Sequence, residues 1–234
     1  IGRELVQDDD LLEEVTGLVE WPVILVGKIN KNFLKLPSEV LKVSMREHQK
    51  FFSLRNKKTD IIDAFIAVSN LDAEDNGKNI THGNERVLTA RLSDAKFFWE
   101  NDVRRIKRDG YKSFAKKLTK VIFHNRLGSE ADRIKRITNI AKNIAQIIGA
   151  DLKSTEVAAS LCKLDLVSEI VYEFPELQGI IGRYYAKRDG FDESIADACY
   201  EHYLPRGPFD DVPRKPISVT LALAEKIDLI SIEN

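Results

Sequence analysis

The spacing of apolar residues changes at about Asn84 and does not change back. Upstream, short runs rich in β-branched residues, VILV at 23–26 and AFIAVS at 64–69, have the length of strands. Downstream, Val87, Leu88, Arg91, Leu92, Ala95, Phe98 and Trp99 recur at three- and four-residue steps, the period of a helix face. The chain therefore reads as α+β, with an N-terminal α/β-mixed module over 1–110 followed by an all-α helical domain over 111–234. The turn from one to the other falls between about 105 and 120.

Within the front part, Asp8 to Asp10 suit the first turn of a short helix that feeds a strand in VEWPVILVGKI. Pro22 places that strand at an edge, or starts it after the proline. A helix is expected from Leu36-Pro37-Ser38 to Gln49, with Ser38 as its cap and Val40, Leu41, Val43 and Met45 facing inward. Residues 51–54 and 64–69 flank the polar RNKKTD and read as a hairpin, and NLDAEDNGKN reads as a loop.

The back part gives a helix from Asn84 to about Ile106, with His82 to Arg86 as its entrance, and then helices at 129–148, 154–171, 175–186, 192–203 and 217–231. Gly149 ends the first of these five, and the proline-rich LPRGPFDDVPRKP precedes the last.

With 43% hydrophobic and 31% charged residues, the chain is too apolar for disorder. No apolar run approaches the ~20 residues of a membrane span, so no membrane helix is expected, and the cytoplasmic expectation comes from the two cysteines, read as thiols in a reducing compartment. IGRELVQDDD has neither a signal-peptide core nor an initiator Met, so the sequence reads as an excised piece. The two cysteines, Cys162 and Cys199, fall in helical patterns and read as buried thiols.

The net charge of −1 conceals a segregation. Residues 1–100 carry 14 basic and 17 acidic side chains, residues 101–142 carry 13 and 4, and residues 143–234 carry 9 and 16. Arg104, Arg105, Lys107, Arg108, Lys112, Lys116, Lys117 and Lys120 form the dense part of the positive stretch. Such a cluster attracts phosphate backbones by counterion release, and equally suits a solvated helix face. Only Tyr111 and Phe114 interleave it, so base stacking is not indicated.

Local chemistry is sparse. His48 in MREHQKFF has Glu47 and Gln49 beside it, and adjacent helical residues point apart, so no dyad follows. The amides around His82 to Arg86 could meet an anion, or Asn84 could simply cap a helix. There is no GxxxxGK[ST], GxGxxG, GxSxG or HExxH signature.

The order of helices in the back part resembles the HD phosphohydrolase family, in which histidines and aspartates hold a metal. Setting RIKRI, ASLCKLDLV and LAEKIDLI against that family's ligand helices puts Asp165 and Asp228 at its aspartate positions. Arg133 and Leu164 then stand where it has histidines. Two aspartates and a leucine do not make a tight site for an activated water, so the resemblance implies a degenerate HD-like domain without a working metal.

A broader resemblance covers nearly the whole chain. LVEWPVILVGKI, LPSEVLKVSMREHQKFF, FIAVSN, GNERVLTARLSDAKFFWENDV, FHNRLGS, KLDLVSEIVYEFPELQGIIGRYYA, EHYLPR and ALAEKIDLI, in this order, resemble the β subunit of bacterial glycyl-tRNA synthetase. His124-Asn125 departs from that family's Gln-Glu, and Cys162-Lys163-Leu164 from its Ala-Lys-Ala. The resemblance implies a piece of a class II α2β2 ligase in which the α subunit holds glycine, ATP and Mg2+ and β supplies surface for tRNA(Gly). It implies no cofactor and no catalytic residue in this piece, whose front part resembles editing-type domains of phenylalanyl-tRNA synthetase. Two other readings stay open: a residual metal-dependent phosphohydrolase acting on nucleotide or tRNA ends through Asp165 and Asp228, and a scaffold that docks other parts of the synthetase.

Overall fold

The computed structural model describes residues 2–208 and 210–230. The chain divides into two compact units, residues 1–100 and 101–234, against the 1–110 and 111–234 read from the sequence.

The first unit is built on a four-stranded antiparallel sheet of order β1-β3-β4-β2. Its elements are β1 (Arg3–Leu5), α1 (Asp9–Leu18), β2 (Val23–Lys28), α2 (Ser38–Gln49), β3 (Phe52–Asn56) and β4 (Ile62–Ser69). The hairpin expected around RNKKTD is β3–β4, and β2 is an edge strand that begins directly after Pro22. Alternation along β4 sorts its residues between the two faces of the sheet. Phe65 and Ala67 are buried, while Ile66 and Val68 pack with Leu11, Val15 and Phe52 on the side of α1. Phe65 stacks on Phe51 with ring centroids 4.6 Å apart.

Two local expectations fail in this unit. Ser38 is the first residue of α2 rather than its cap; Pro37 holds the cap position, and the Ser38 hydroxyl donates to Glu39 instead. Val43 is only half-buried, while Val40, Leu41 and Met45 are buried. The strand β1 carried no local signal, since its three residues are held by pairing with the distant β3 and by a bidentate Arg3–Asp63 ion pair at 2.6 and 2.9 Å.

The helix expected from Asn84 starts earlier, as α3 (Lys78–Asp109). Asp75 caps it: its carboxylate accepts the Gly77 and Asn79 amides at 2.9 and 2.8 Å, with Asn76 and Gly77 both at positive φ. His82 to Arg86 thus lie inside the helix, where each amide bonds the preceding turn, and offer no anion-binding entrance. Glu85 instead reaches the edge strand and accepts the Lys28 amide at 2.9 Å.

The second unit is helical. After the end of α3 come α4 (Ala115–Leu118), the small hairpin β5 (Ile122–His124) and β6 (Gly128–Ser129), then α5 (Glu130–Ile148), α6 (Leu152–Leu161), α7 (Glu169–Glu173), α8 (Ile180–Arg188), α9 (Glu193–Glu201) and α10 (Pro216–Ile230). Among the packed pairs are α5 with α6 and α10, α8 with α9, α9 with α6 and α10, and α6 with α10. Ser129 closes a full capping box with Asp132 at the start of α5, and Gly149 ends it at φ 73°.

The helix expected over 154–171 is broken. It begins at Leu152 under an Asp151 cap, stops at Leu161, and continues as a 3-10 turn and then α7. The helix expected over 175–186 is likewise a 3-10 turn followed by α8, separated at Gly179 (φ 80°). Ser231, at the expected end of the last helix, lies outside the described residues.

Candidate nucleic-acid interface

The basic run owes its placement to an anchored backbone. Asp102 is buried and accepts the Glu169 and Ile170 amides at 3.2 and 3.1 Å and the Tyr185 hydroxyl at 2.9 Å, tying the last turns of α3 to the start of α7 and to α8. Burial raises the pKa of Asp102, and its hydrogen-bond donors oppose that rise. Gly110, at φ 75°, then ends α3, and the Tyr111 amide donates to Asp189 at 2.9 Å.

Tyr111, Phe114 and Leu118 turn inward and are buried, so the two aromatics among the cations are core residues rather than platforms for bases. The eight cations are sorted by the same geometry. Arg105 is half-buried, with its guanidinium 4.2 Å from the centre of the Phe114 ring. Arg104 donates to Asn101, Arg108 pairs with Asp109 at 2.7 Å, and Lys112 lies 5.5 Å from the Phe191 ring centre. Lys107, Lys116, Lys117 and Lys120 are exposed, and among the described residues none of the four forms an ion pair. Four uncommitted ammonium groups are what a phosphate backbone can use, and they gain the most from counterion release.

The four positions singled out by the HD resemblance separate into two sites. Leu164 and Asp165 are buried in the 3-10 turn after α6. Asp165 Oδ2 accepts the Gly179 amide at 2.6 Å and the Gly182 amide at 3.2 Å, so it caps α8 from outside that helix. Burial pushes its pKa up to about 6, against the stabilising amides. Arg133 and Asp228 belong to a different cluster, together with Glu130, Arg136, Lys163 and Glu225.

The residues at the HD positions do not fit a metal. Asp228 is occupied by Arg133 and Arg136, Leu164 offers no donor, and Asp165 is engaged by backbone amides. Among the described residues no three His, Cys, Asp or Glu side chains are arranged to hold an ion. Cys162 and Cys199 are free and buried, and burial pushes the Cys162 thiol up to about 12, far from a reactive thiolate.

Sequence reasoning missed the charged cluster. The signal was present in the periodicity: Glu130 and Arg133 share the inner face of α5 with Ile137, Ala141 and Ala145, and Glu225 and Asp228 continue the inner face of α10 after Leu221 and Ala224. Ionisable residues on an apolar stripe require partners inside.

Comparison with known proteins decides the family. The glycyl-tRNA synthetase beta subunit family model matches residues 1–232. The chain belongs to this family. It is 55% identical over 231 residues to the glycine–tRNA ligase beta subunit of Ruegeria sp. strain TM1040, covering 98% of this chain and 34% of that protein. The beta subunits of Paracoccus denitrificans and Neisseria gonorrhoeae are 55% and 46% identical over 230 residues, each match covering 98% of this chain and 33% of the relative. The chain thus spans about a third of the length of the curated relatives it matches. Of the blocks that carried the family resemblance, residues 83–103 lie within α3, and residues 173–186 run from the end of α7 into α8. Among the described residues, no helix is long and apolar enough to cross a membrane.

Proposed function

We propose that this chain is the tRNA-positioning part of a glycine–tRNA ligase beta subunit. It contributes phosphate-binding surface through residues 104–120 and holds none of the aminoacylation chemistry. The observation that carries the reading is the set of exposed, uncommitted lysines Lys107, Lys116, Lys117 and Lys120, in a family named for a tRNA synthetase. Arg104, Arg108 and Lys112 extend the same positive run, while Arg105 supports it by packing on Phe114. On this reading the partners are the α subunit, which supplies the glycine, ATP and Mg2+ site of a cytoplasmic class II α2β2 enzyme, and tRNA(Gly). The first unit is an editing-domain-like module, and the second is a degenerate HD-like domain whose order of helices is kept while its metal positions serve packing.

The hydrolase alternative finds no support in the side chains, because Asp165 and Asp228 lie in two separate sites, Asp228 held by Arg133 and Arg136 and Asp165 Oδ2 by backbone amides, and no three possible ligands come together among the described residues. The docking-scaffold alternative is separated by experiment. Reversing Lys107, Lys116, Lys117 and Lys120 to Glu should weaken tRNA binding by the intact synthetase. It should also lower the slope of log K against log salt by up to roughly 0.9 for each phosphate that the lysines no longer neutralise. These four are preferable to Arg105, whose loss would disturb the packing on Phe114. Unchanged affinity and salt slope in the titration would reject the interface in favour of the scaffold.

A further inference from the structure

The edge strand β2 is stopped at both ends and open between them. The Ile29 amide donates to the Asp63 carbonyl at 3.0 Å, on the β4 side, and the Lys28 amide points the other way, to Glu85. Backbone groups alternate between the two sides of an antiparallel strand, so Leu25 and Gly27 bond β4 while Ile24 and Val26 turn their N–H and C=O groups outward. Pro22 has no N–H, and Asn70 holds the Glu20 and Trp21 amides at 2.9 and 3.3 Å. Among the described residues, the outward groups of Ile24 and Val26 have no partner of this kind. Their side chains are 58% and 54% exposed, although they lie across from Val68 and Ile66 on the side of the sheet where α1 packs.

Proteins ordinarily blunt such an edge with charge, proline or brevity. The opposite edge, β1, is blunted, with 3 residues that include Arg3 and Glu4. The apolar VILV run of β2 is not. Two grooves flank it. On the α1 side, an apolar groove of about 340 Å³ is lined by Leu12, Thr16, Pro22, Ile24 and Val68. Toward α3, a polar groove of about 360 Å³ is lined by Val26, Asn76, Lys78, Thr81 and His82. A strand paired to β2 fills both, because its successive side chains alternate between the faces. Residues opposite Ile24 and Val26 enter the apolar groove, and the residue between them meets the polar groups of Asn76, Thr81 and His82.

We propose that β2 is the acceptor for a fifth strand, an extended segment with apolar residues at alternate positions, supplied by the part of the beta subunit that lies outside these 234 residues. The relatives show that the length exists, since this chain spans only about a third of them. Self-pairing of two β2 strands fits less well, because it sets Leu25 of a second copy against the polar groove. The inference rests on the family, and not on whether residues 104–120 meet tRNA.

The test uses the intact synthetase. Hydrogen exchange read amide by amide in the wild type should show Ile24 and Val26 exchanging as slowly as Leu25 and Gly27, which face β4. Benzoylphenylalanine in place of Ile24, or in place of His82, should photo-crosslink to one and the same beta-subunit segment outside residues 1–234, since a strand at the edge reaches both grooves. Fast exchange at Ile24 and Val26 would overturn the proposal. So would crosslinks from the two positions to different segments, to the α subunit or to a second copy of this chain, or no crosslink from either.

Discussion

Gly27 sits opposite Phe65 in the β2–β4 ladder, and a Cβ there would stand 2.2 Å from the ring. Phe65 is fully buried and stacked on Phe51, so it has nowhere to give way. Gly27→Ala should therefore cost about 1–3 kcal/mol through overpacking, read as a lower midpoint in urea unfolding. Asp165 makes a second residue-scale prediction. Its pKa of about 6 in the fold exceeds the ordinary carboxylate value, so the native state binds the proton more tightly than the unfolded chain does. The stability it contributes is full below about pH 4 and is lost as pH rises to about 6. An Asn in its place keeps an oxygen for the Gly179 and Gly182 amides without the charge. The stability of Asp165→Asn relative to wild type should thus increase from pH 4 to pH 6 and then level off. His202, buried and held neutral well below its ordinary pKa, acts in the opposite sense below about pH 6.5, but it is common to both proteins and cancels in the difference. A pH-independent difference would show that Asp165 is not titrating in the fold.

Among the elements, α5 has the most explicit stop and start signals. Its capping box joins the Ser129 hydroxyl and the Asp132 carboxylate, and these bonds with Lys135 hold the Asp132 pKa down to about 2. The contribution of Asp132 is present above about pH 4 and is lost as pH falls toward 2. Ser129→Ala should cost about 1 kcal/mol in chemical denaturation at neutral pH. A loss of only a few tenths would mean that tertiary packing alone holds the end of α5. Elements with local signals were legible: α5 from Ser129 to Gly149, α9 between Gly190 and Pro205, and the β3–β4 hairpin from its polar turn. Elements set by distant partners were not. β1 is too short to have a pattern, α3 begins at Asp75's cap rather than at the polar HGNE, and the break after Leu161 has no Gly or Pro to announce it. That break instead coincides with Lys163 and Asp165, whose buried partners lie in α10 and at the start of α8.

Across the whole molecule, the segregation of charge was legible because it needs only counting, whereas the division of labour among the cations was not. Sequence spacing gives Arg105 and Lys116 equal weight; only packing puts one over Phe114 and leaves the other in solvent. The buried cluster was hidden for the same reason, since Arg133 and Glu225 are 92 positions apart. The first unit supplies an internal reference, because Lys57 and Lys58 are exposed in the β3–β4 turn, outside the basic run. The most direct measurement is therefore amine acetylation of the intact synthetase with and without tRNA(Gly), read residue by residue by mass spectrometry. Bound tRNA should slow modification of Lys107, Lys116, Lys117 and Lys120 and leave Lys57 and Lys58 unchanged; equal rates at all six in both conditions would contradict a tRNA-facing basic run.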